Sequence, residues 1–176
     1  MNTQEIISHL KSGNIAVIPT DTLYGIVGIA SNPDTINKIY ELKHRDPSKA
    51  SIVLISDVSQ LEQFGISNLP DLSQYWPGPY SILLSCPNPD FEYIHKGTGE
   101  IAFRLPDNQQ LRDLISQIGP LVAPSANIEG NPPATTIEEA KTYFGDNVEY
   151  LDGGILTGNP SSLLRIHEDG TIDQLR

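Results

Sequence analysis

Apolar residues return at helical spacing close to the amino terminus, where Ile6, Ile7 and Leu10 make one stripe within residues 4–11. Asn32-Pro33 supplies an N-cap and a first-turn proline ahead of a second stripe, Ile36, Ile39 and Tyr40. Residues 57–64 predict a short helix, and Asp107 caps another whose buried face is Leu111, Leu114, Ile115 and Ile118. Thr136 with Glu139 reads as a capping box for a helix ending near Gly145. Between the helices lie short apolar runs suited to strands, at 15–18, 52–55, 81–84, 101–105, 121–123 and 148–151. Residues 163–166 and 171–175, joined through Asp169-Gly170, predict a closing hairpin. Helices and strands alternate without strict βαβ regularity. This predicts an α/β (α+β) domain built on one twisted, mixed sheet with flanking helices.

Glycine and proline, 14 of each, gather in loops: WPGP at 76–79, CPNPD at 86–90 and EGNPPATT at 129–136. The first reads as a structural corner rather than a stacking platform. No repeat or long linker divides the chain, so residues 1–176 read as one domain. With 38% hydrophobic and 19% charged residues, a real core is expected and wholesale disorder is excluded. Eleven Lys+Arg against 22 Asp+Glu leave a net charge of −11. Such a surface repels nucleic acid over most of its area, so any phosphate site must be a local cationic cluster. Cys86 is the single cysteine, which points to a reducing compartment. Neither a signal peptide nor 18 consecutive apolar residues appears, so a cytoplasmic protein without a membrane segment is expected.

Three segments and one strand residue carry candidate chemistry. In Pro19 to Gly25 (PTDTLYG), an extended backbone would set Thr20, Thr22 and Tyr24 on one face as hydroxyl donors, with Asp21 facing away and bracing the loop. Thr and Tyr are equally ordinary strand residues. Lys43 and Arg45, with Lys49 beyond, converge only if the helix stops there, which Pro47 encourages. They would then clamp a polyphosphate, Lys as a point charge and Arg as a bidentate fork. The plain alternative is three cations complementing a helix dipole. Ser125 and Asn127 follow a buried strand and offer neutral donors and acceptors, or else cap a turn locally. Arg104 interrupts an apolar strand, where a charge is costly unless paired, so it marks a site. Arg165 and Arg176 by themselves read as solvated. Neither G-x-x-x-x-G-K-[ST] nor G-x-G-x-x-G occurs, the four histidines lack zinc-ligand spacing, and no activated nucleophile is evident.

Taken in order, PTDTLYG, KHRDPSK, WPGPYSILL, IAFRLPD, PLVAPSAN with GNPPATT, and LDGG followed by PSS resemble the YrdC-like family of threonylcarbamoyl-AMP synthases across nearly the whole chain. The resemblance implies a concave face holding ATP and L-threonine. It implies that threonine, bicarbonate (or CO2) and ATP become threonylcarbamoyl-AMP and pyrophosphate, with Mg²⁺ accompanying ATP. Downstream threonylcarbamoyl-transferase proteins would carry the group to N6 of adenosine 37 in tRNA. By position, Thr22, Arg104, Ala123 and Ser161 match threonine-binding places, Ser162 being the alternative to Ser161. Lys43, Arg45, Ser125 and Asn127 match the catalytic and ATP-binding K-x-R and S-x-N pairs, and Lys49 and Arg176 match ATP-binding places. Two departures stand out: Asp46 replaces the usual proline after K-x-R, and Glu100 sits where a small or polar residue commonly meets the nucleotide. A non-catalytic RNA-binding module on the same fold is the alternative function, which the charge of −11 disfavours, as it does direct tRNA contact. A carbamoyl-transfer relative is a third, lacking here its acylphosphatase and zinc segments.

Overall fold

The computed structural model describes residues 1–86, 88–167 and 171–176. In chain order the strands are β1 (Ala16–Pro19), β2 (Tyr24–Ile29), β3 (Ile52–Leu54), β4 (Tyr80–Ser85), β5 (Glu100–Arg104), β6 (Leu121–Val122), β7 (Glu149–Tyr150), β8 (Ser162–Ile166) and β9 (Ile172–Gln174). Among the described residues they form one mixed sheet in the order β7-β1-β2-β6-β3-β5-β4-β8-β9. The helices are α1 (Thr3–Lys11), α2 (Pro33–Lys43), α3 (Glu92–His95), α4 (Gln109–Ile118) and α5 (Ile137–Phe144).

Side-chain alternation assigns the two faces. Ile15 and Val17 pack with Ile39, Ile137 and Phe144 beneath α2 and α5, whereas Ala16 and Ile18 pack with Ile6, Leu10, Leu111 and Ile115 of α1 and α4. Farther along the sheet, Val53, Ile101 and Phe103 enter a third cluster with Phe64, Trp76 and Phe91. On the opposite face Ile52 pairs in register with Ala102, and Leu54 with Arg104. Leu54 is covered by the α1/α4 cluster. Leu83, Ala102, Arg104 and Leu163 lie beyond it and, with Ile52 at the cluster's edge, floor an open cleft. The site therefore lies where one helical layer stops and the sheet continues.

Local chemistry explains the element ends, with some corrections. Asn108, not Asp107, caps α4: its side chain accepts from Leu111 N at 3.0 Å. Asp107 lies outside the helix with its side chain 76% exposed. Thr136 caps α5 as expected, but the Glu139 carboxylate reaches Thr135 N (2.7 Å) and the Thr135 hydroxyl instead of closing the box. A complete capping box instead opens α1, between Asn2 and Glu5. Residues Val58–Phe64 wind as a 3₁₀ helix after Asp57. The antiparallel β8–β9 pair agrees with the closing hairpin, and its Asp169-Gly170 turn lies outside the described residues. No strand is expected past Gly25, since YGIVGI does not alternate, yet β2 runs to Ile29. It is buried along nearly its whole length, and a Cβ on Gly28 would meet Thr35 of α2 at 2.9 Å.

Candidate active site

A cleft of about 470 Å³ opens over that floor, walled by the 20–25, 45–51, 123–125 and 160–161 segments and by Arg176. At one end the chain between β1 and β2 is a tight turn, not an extended run. Thr20 N donates to Leu23 O at 3.1 Å, and the Thr20 hydroxyl donates to the same carbonyl at 2.6 Å while accepting from Leu23 N and Thr22 N. The turn abolishes the expected alternation, so Thr20, Asp21 and Thr22 all converge on Arg104. The guanidinium donates to Thr22 Oγ1 (3.2 Å) and Thr20 Oγ1 (3.3 Å), and its Nη2 lies 2.9 Å from Asp21 Oδ1. Asp21 thus pairs with Arg104 instead of facing away, and it also braces the loop by accepting from Asp107 N at 3.3 Å. Burial pulls the Arg104 pKa down while Asp21 pushes it up. Arg104 Nε is buried without a partner among the described residues. Tyr24 leaves the hydroxyl set altogether: its hydroxyl donates to Gly154 O (2.7 Å) and accepts from Gly153 N (2.9 Å), pinning the 152–160 segment to β2.

At the other end α2 stops at Lys43 because His44 takes a left-handed conformation, φ 49° and ψ 39°. The helix end separates the two cations. Arg45 turns into the cleft, with Nη2 on Ala50 O at 2.8 Å, its guanidinium 5.7 Å from the Tyr40 ring and its Nε buried without a partner among the described residues. Lys43 runs behind the wall, 1% exposed, and donates to Ser125 O (2.5 Å), Asn127 O (2.7 Å) and Asn127 Oδ1 (3.2 Å). Asn127 in turn accepts from Ser125 Oγ at 2.7 Å and donates to Asn131 O at 2.8 Å. Lys43 and Asn127 therefore shape the Ser125 loop from behind; Ser125 and Ala123 face the cleft. Lys49 points to Glu129 and ion-pairs with it, and Glu129 also accepts from Asp46 N at 2.7 Å. The replacement at Asp46 thus becomes part of a tie between two loops.

Burial, and secondarily Arg45, lower the Lys43 pKa to about 7, with Glu129 opposing. The folded value lies below the unfolded one of 10.5, so the buried ammonium opposes folding fully below pH about 7. Between there and the unfolded value the unfolded chain keeps a proton that the native protein has released, so stability rises with pH. Urea midpoints of the wild type should climb between these limits, and Lys43→Met should lack that climb. Parallel curves for the two proteins would assign the proton elsewhere.

Ser161, rather than Ser162, lines the cleft; its hydroxyl meets Ser81 Oγ at 2.8 Å, while Ser162 begins β8. Arg176 is anchored, donating through Nε and Nη2 to Ser161 O at 3.3 and 3.2 Å. Burial and then Arg45 lower its pKa, as befits two cations sharing one space. Glu100 is held by Arg165 at 2.6 Å and does not line the cleft. The structure thus brings Thr22, Arg104, Ala123, Ser161, Arg45, Ser125 and Arg176 into one cavity, with Lys43, Asn127 and Lys49 outside its lining. Sequence reasoning missed the Asp21–Arg104 pair, the Glu129 tie and Gly158, which lies against the Thr22 carbonyl. Only Glu129, an acid inside a Pro/Gly-rich loop facing a basic one, left a readable trace.

A family model described as Sua5_yciO_yrdC, telomere recombination, matches residues 8–176. The threonylcarbamoyl-AMP synthase of Bacillus subtilis (strain 168) is 34% identical over 161 residues, 88% of this chain and 45% of that protein. The protein of the same description from Pseudomonas fluorescens (strain Pf0-1) is 30% identical over 175 residues, covering 96% of this chain and 94% of its own length. Among solved structures, P. abyssi Sua5 complexed with L-threonine superposes with a TM-score of 0.90 at 27% identity, over 99% of this chain and 53% of that one. The chain thus spans about half the length of the Bacillus and P. abyssi relatives and nearly all of the Pseudomonas one. HypF in a phosphate- and nucleotide-bound form shares the fold at a TM-score of 0.86 and 19% identity.

Proposed function

The chain belongs to the Sua5_yciO_yrdC family, and on that premise we propose that it is a threonylcarbamoyl-AMP synthase. One observation carries the reading. A single cleft holds a buried, acid-paired arginine between two threonine hydroxyls at one end, Arg45 at the other, and Arg176 on Ser161 within reach of both. L-Threonine fits the first end, its polar groups within reach of Arg104, Thr22 and Ser161 and its backbone against Ala123. The phosphates of ATP fit the second, with Ser125 between the two.

The deprotonated threonine amine first bonds to the carbon of CO2, losing a proton to solvent, or to that of bicarbonate, with loss of water, and gives the threonine carbamate. A carbamate oxygen then forms a bond to the α-phosphorus while the bond to the bridging oxygen breaks, and pyrophosphate leaves. The protein needs no nucleophile for this. It aligns the two reactants and sets fixed positive charge where negative charge gathers on the departing phosphates. Mg²⁺ enters with ATP as part of that substrate. Lys43 and Asn127 contribute by holding the Ser125 loop in shape. The product would pass to threonylcarbamoyl-transferase proteins that modify adenosine 37 of tRNA. Among the described residues no helix is long and apolar enough to cross a membrane, and the proposed setting is the cytoplasm.

Pyrophosphate release from ATP, with threonine and bicarbonate each supplied or withheld, tests the reading. Release should require both. Release without threonine, or none from folded protein, would refute it. In the same assay Thr22→Val should raise the threonine KM by about tenfold, the loss of one hydrogen bond to a charged partner, and leave the ATP KM nearly unchanged. Equal rises in both constants would remove Thr22 from the amino-acid end.

A further inference from the structure

Among the described residues three arginines face one cleft and only one of them is paired with an acid; from this asymmetry we propose that Asp21 keeps the amino-acid end of the cleft for a zwitterion by excluding phosphate from it. The inference rests on the threonine-dependent reading above. The Arg104 and Asp21 side chains are 6% and 7% exposed and meet at 2.9 Å. Asp21 is also tethered by Asp107 N, so its charge is fixed in place. Arg104 therefore keeps its N–H donors, two of them on Thr20 and Thr22, but presents little net positive potential.

Arg45 and Arg176 differ. Among the described residues neither has an acid within 4.0 Å. Asp46 and Glu129, which feel Arg45, are occupied by Ser48 and Lys49. Positive potential in the cleft thus comes from Arg45 and Arg176, and Arg104 itself adds little to it. An arginine fork binds carboxylate and phosphate alike. A cleft with three uncompensated arginines would accept a polyphosphate in two registers, and one of them would block threonine. A zwitterion brings no net charge, and its carboxylate needs donors more than net positive potential, so the compensated arginine suits it. A multiply charged phosphate gains nothing there.

The test counts inorganic phosphate sites by calorimetric titration, with and without threonine. Wild-type protein should bind phosphate at one site, insensitive to threonine, and Arg45→Ala should lose it. Asp21→Asn, isosteric but neutral, should gain a second site that threonine displaces, and its apparent threonine affinity should fall by at least about tenfold in phosphate. A role limited to holding the fold would not create this competition. Asp21→Asn leaves Arg104 buried and unpaired, so thermal melts must accompany it. If that variant does not fold, Arg45→Ala still decides: phosphate that remains bound to it and competes with threonine overturns the proposal, and its loss supports it. An Asp21→Asn protein that folds and binds threonine equally well in phosphate also overturns it. Wild-type protein that binds no threonine at all would instead refute the functional reading, and the phosphate count would still judge Asp21.

Discussion

Arg45→Ala should lower the turnover of pyrophosphate release by roughly 10²–10³-fold, the range seen when one preorganised donor to developing charge is removed. Arg45 lines the cleft and is positioned by its contact with Ala50 O and by the Tyr40 ring beneath it. Its guanidinium is therefore fixed before substrate arrives, so little reorganisation is needed as the leaving group gathers charge. The fold should survive, because among the described residues the side chain makes one hydrogen bond, worth about 1.5–3 kcal/mol for a charged donor. Arg45→Lys should recover only part of the rate, since an ammonium keeps the charge and loses the fork. The variant also has a secondary signature. Arg45 is one cause of the lowered Lys43 pKa, so removing it should move the alkaline rise in stability to higher pH. Wild-type turnover in Arg45→Ala would take the phosphates away from this end of the cleft.

Gly158→Ala should raise the threonine KM by about a hundredfold, the equivalent of roughly 2.7 kcal/mol. A Cβ at Gly158 would overlap the Thr22 carbonyl oxygen and stand 3.0 Å from its carbonyl carbon. The obstacle is backbone, so no side-chain rotation relieves it; overpacking of this kind costs about 1–3 kcal/mol. Either the 152–160 segment lifts away from Tyr24, or Thr22 moves and its hydroxyl leaves Arg104. Both outcomes open the amino-acid end, while the ATP KM should change little. Gly154→Ala makes the control: that glycine has φ +75° but nothing within 4 Å of a new Cβ, so it loses stability without displacing Thr22. If the two variants show the same threonine KM, the contact with Thr22 does not matter.

Much of the architecture was legible because it depends on local rules. The helical stripes Ile6-Ile7-Leu10 and Ile36-Ile39-Tyr40 appear where their spacing puts them, and Asn32 caps α2 through Asp34 N at 3.0 Å. The wrong cap for α4 was a choice between neighbours, Asp107 and Asn108, with equally suitable side chains; the backbone conformation decided it. At the site, Arg104 was conspicuous because a cation in an apolar strand demands a partner. Its partner was not legible. Asp21 sits 83 residues away in sequence, and its direction depended on whether residues 20–23 were extended or turned.

Residue types and their spacing determined which elements form, where cations gather on an acidic chain, and that this sequence has the family's order of motifs. They also placed Thr22, Arg45, Arg104 and Ser125 among the functional candidates. Tertiary structure alone decided which of those cations meet a ligand. Lys43 and Arg45 are two residues apart and chemically similar, yet the left-handed turn at His44 sends one behind the Ser125 loop and the other into the cleft. The same holds for the three arginines, whose difference lies in a single carboxylate brought from a distant loop. Hydrophobic periodicity acts over a few residues and can be read along the chain. Electrostatic compensation acts through space over a few ångströms, and those distances exist only once the chain has folded.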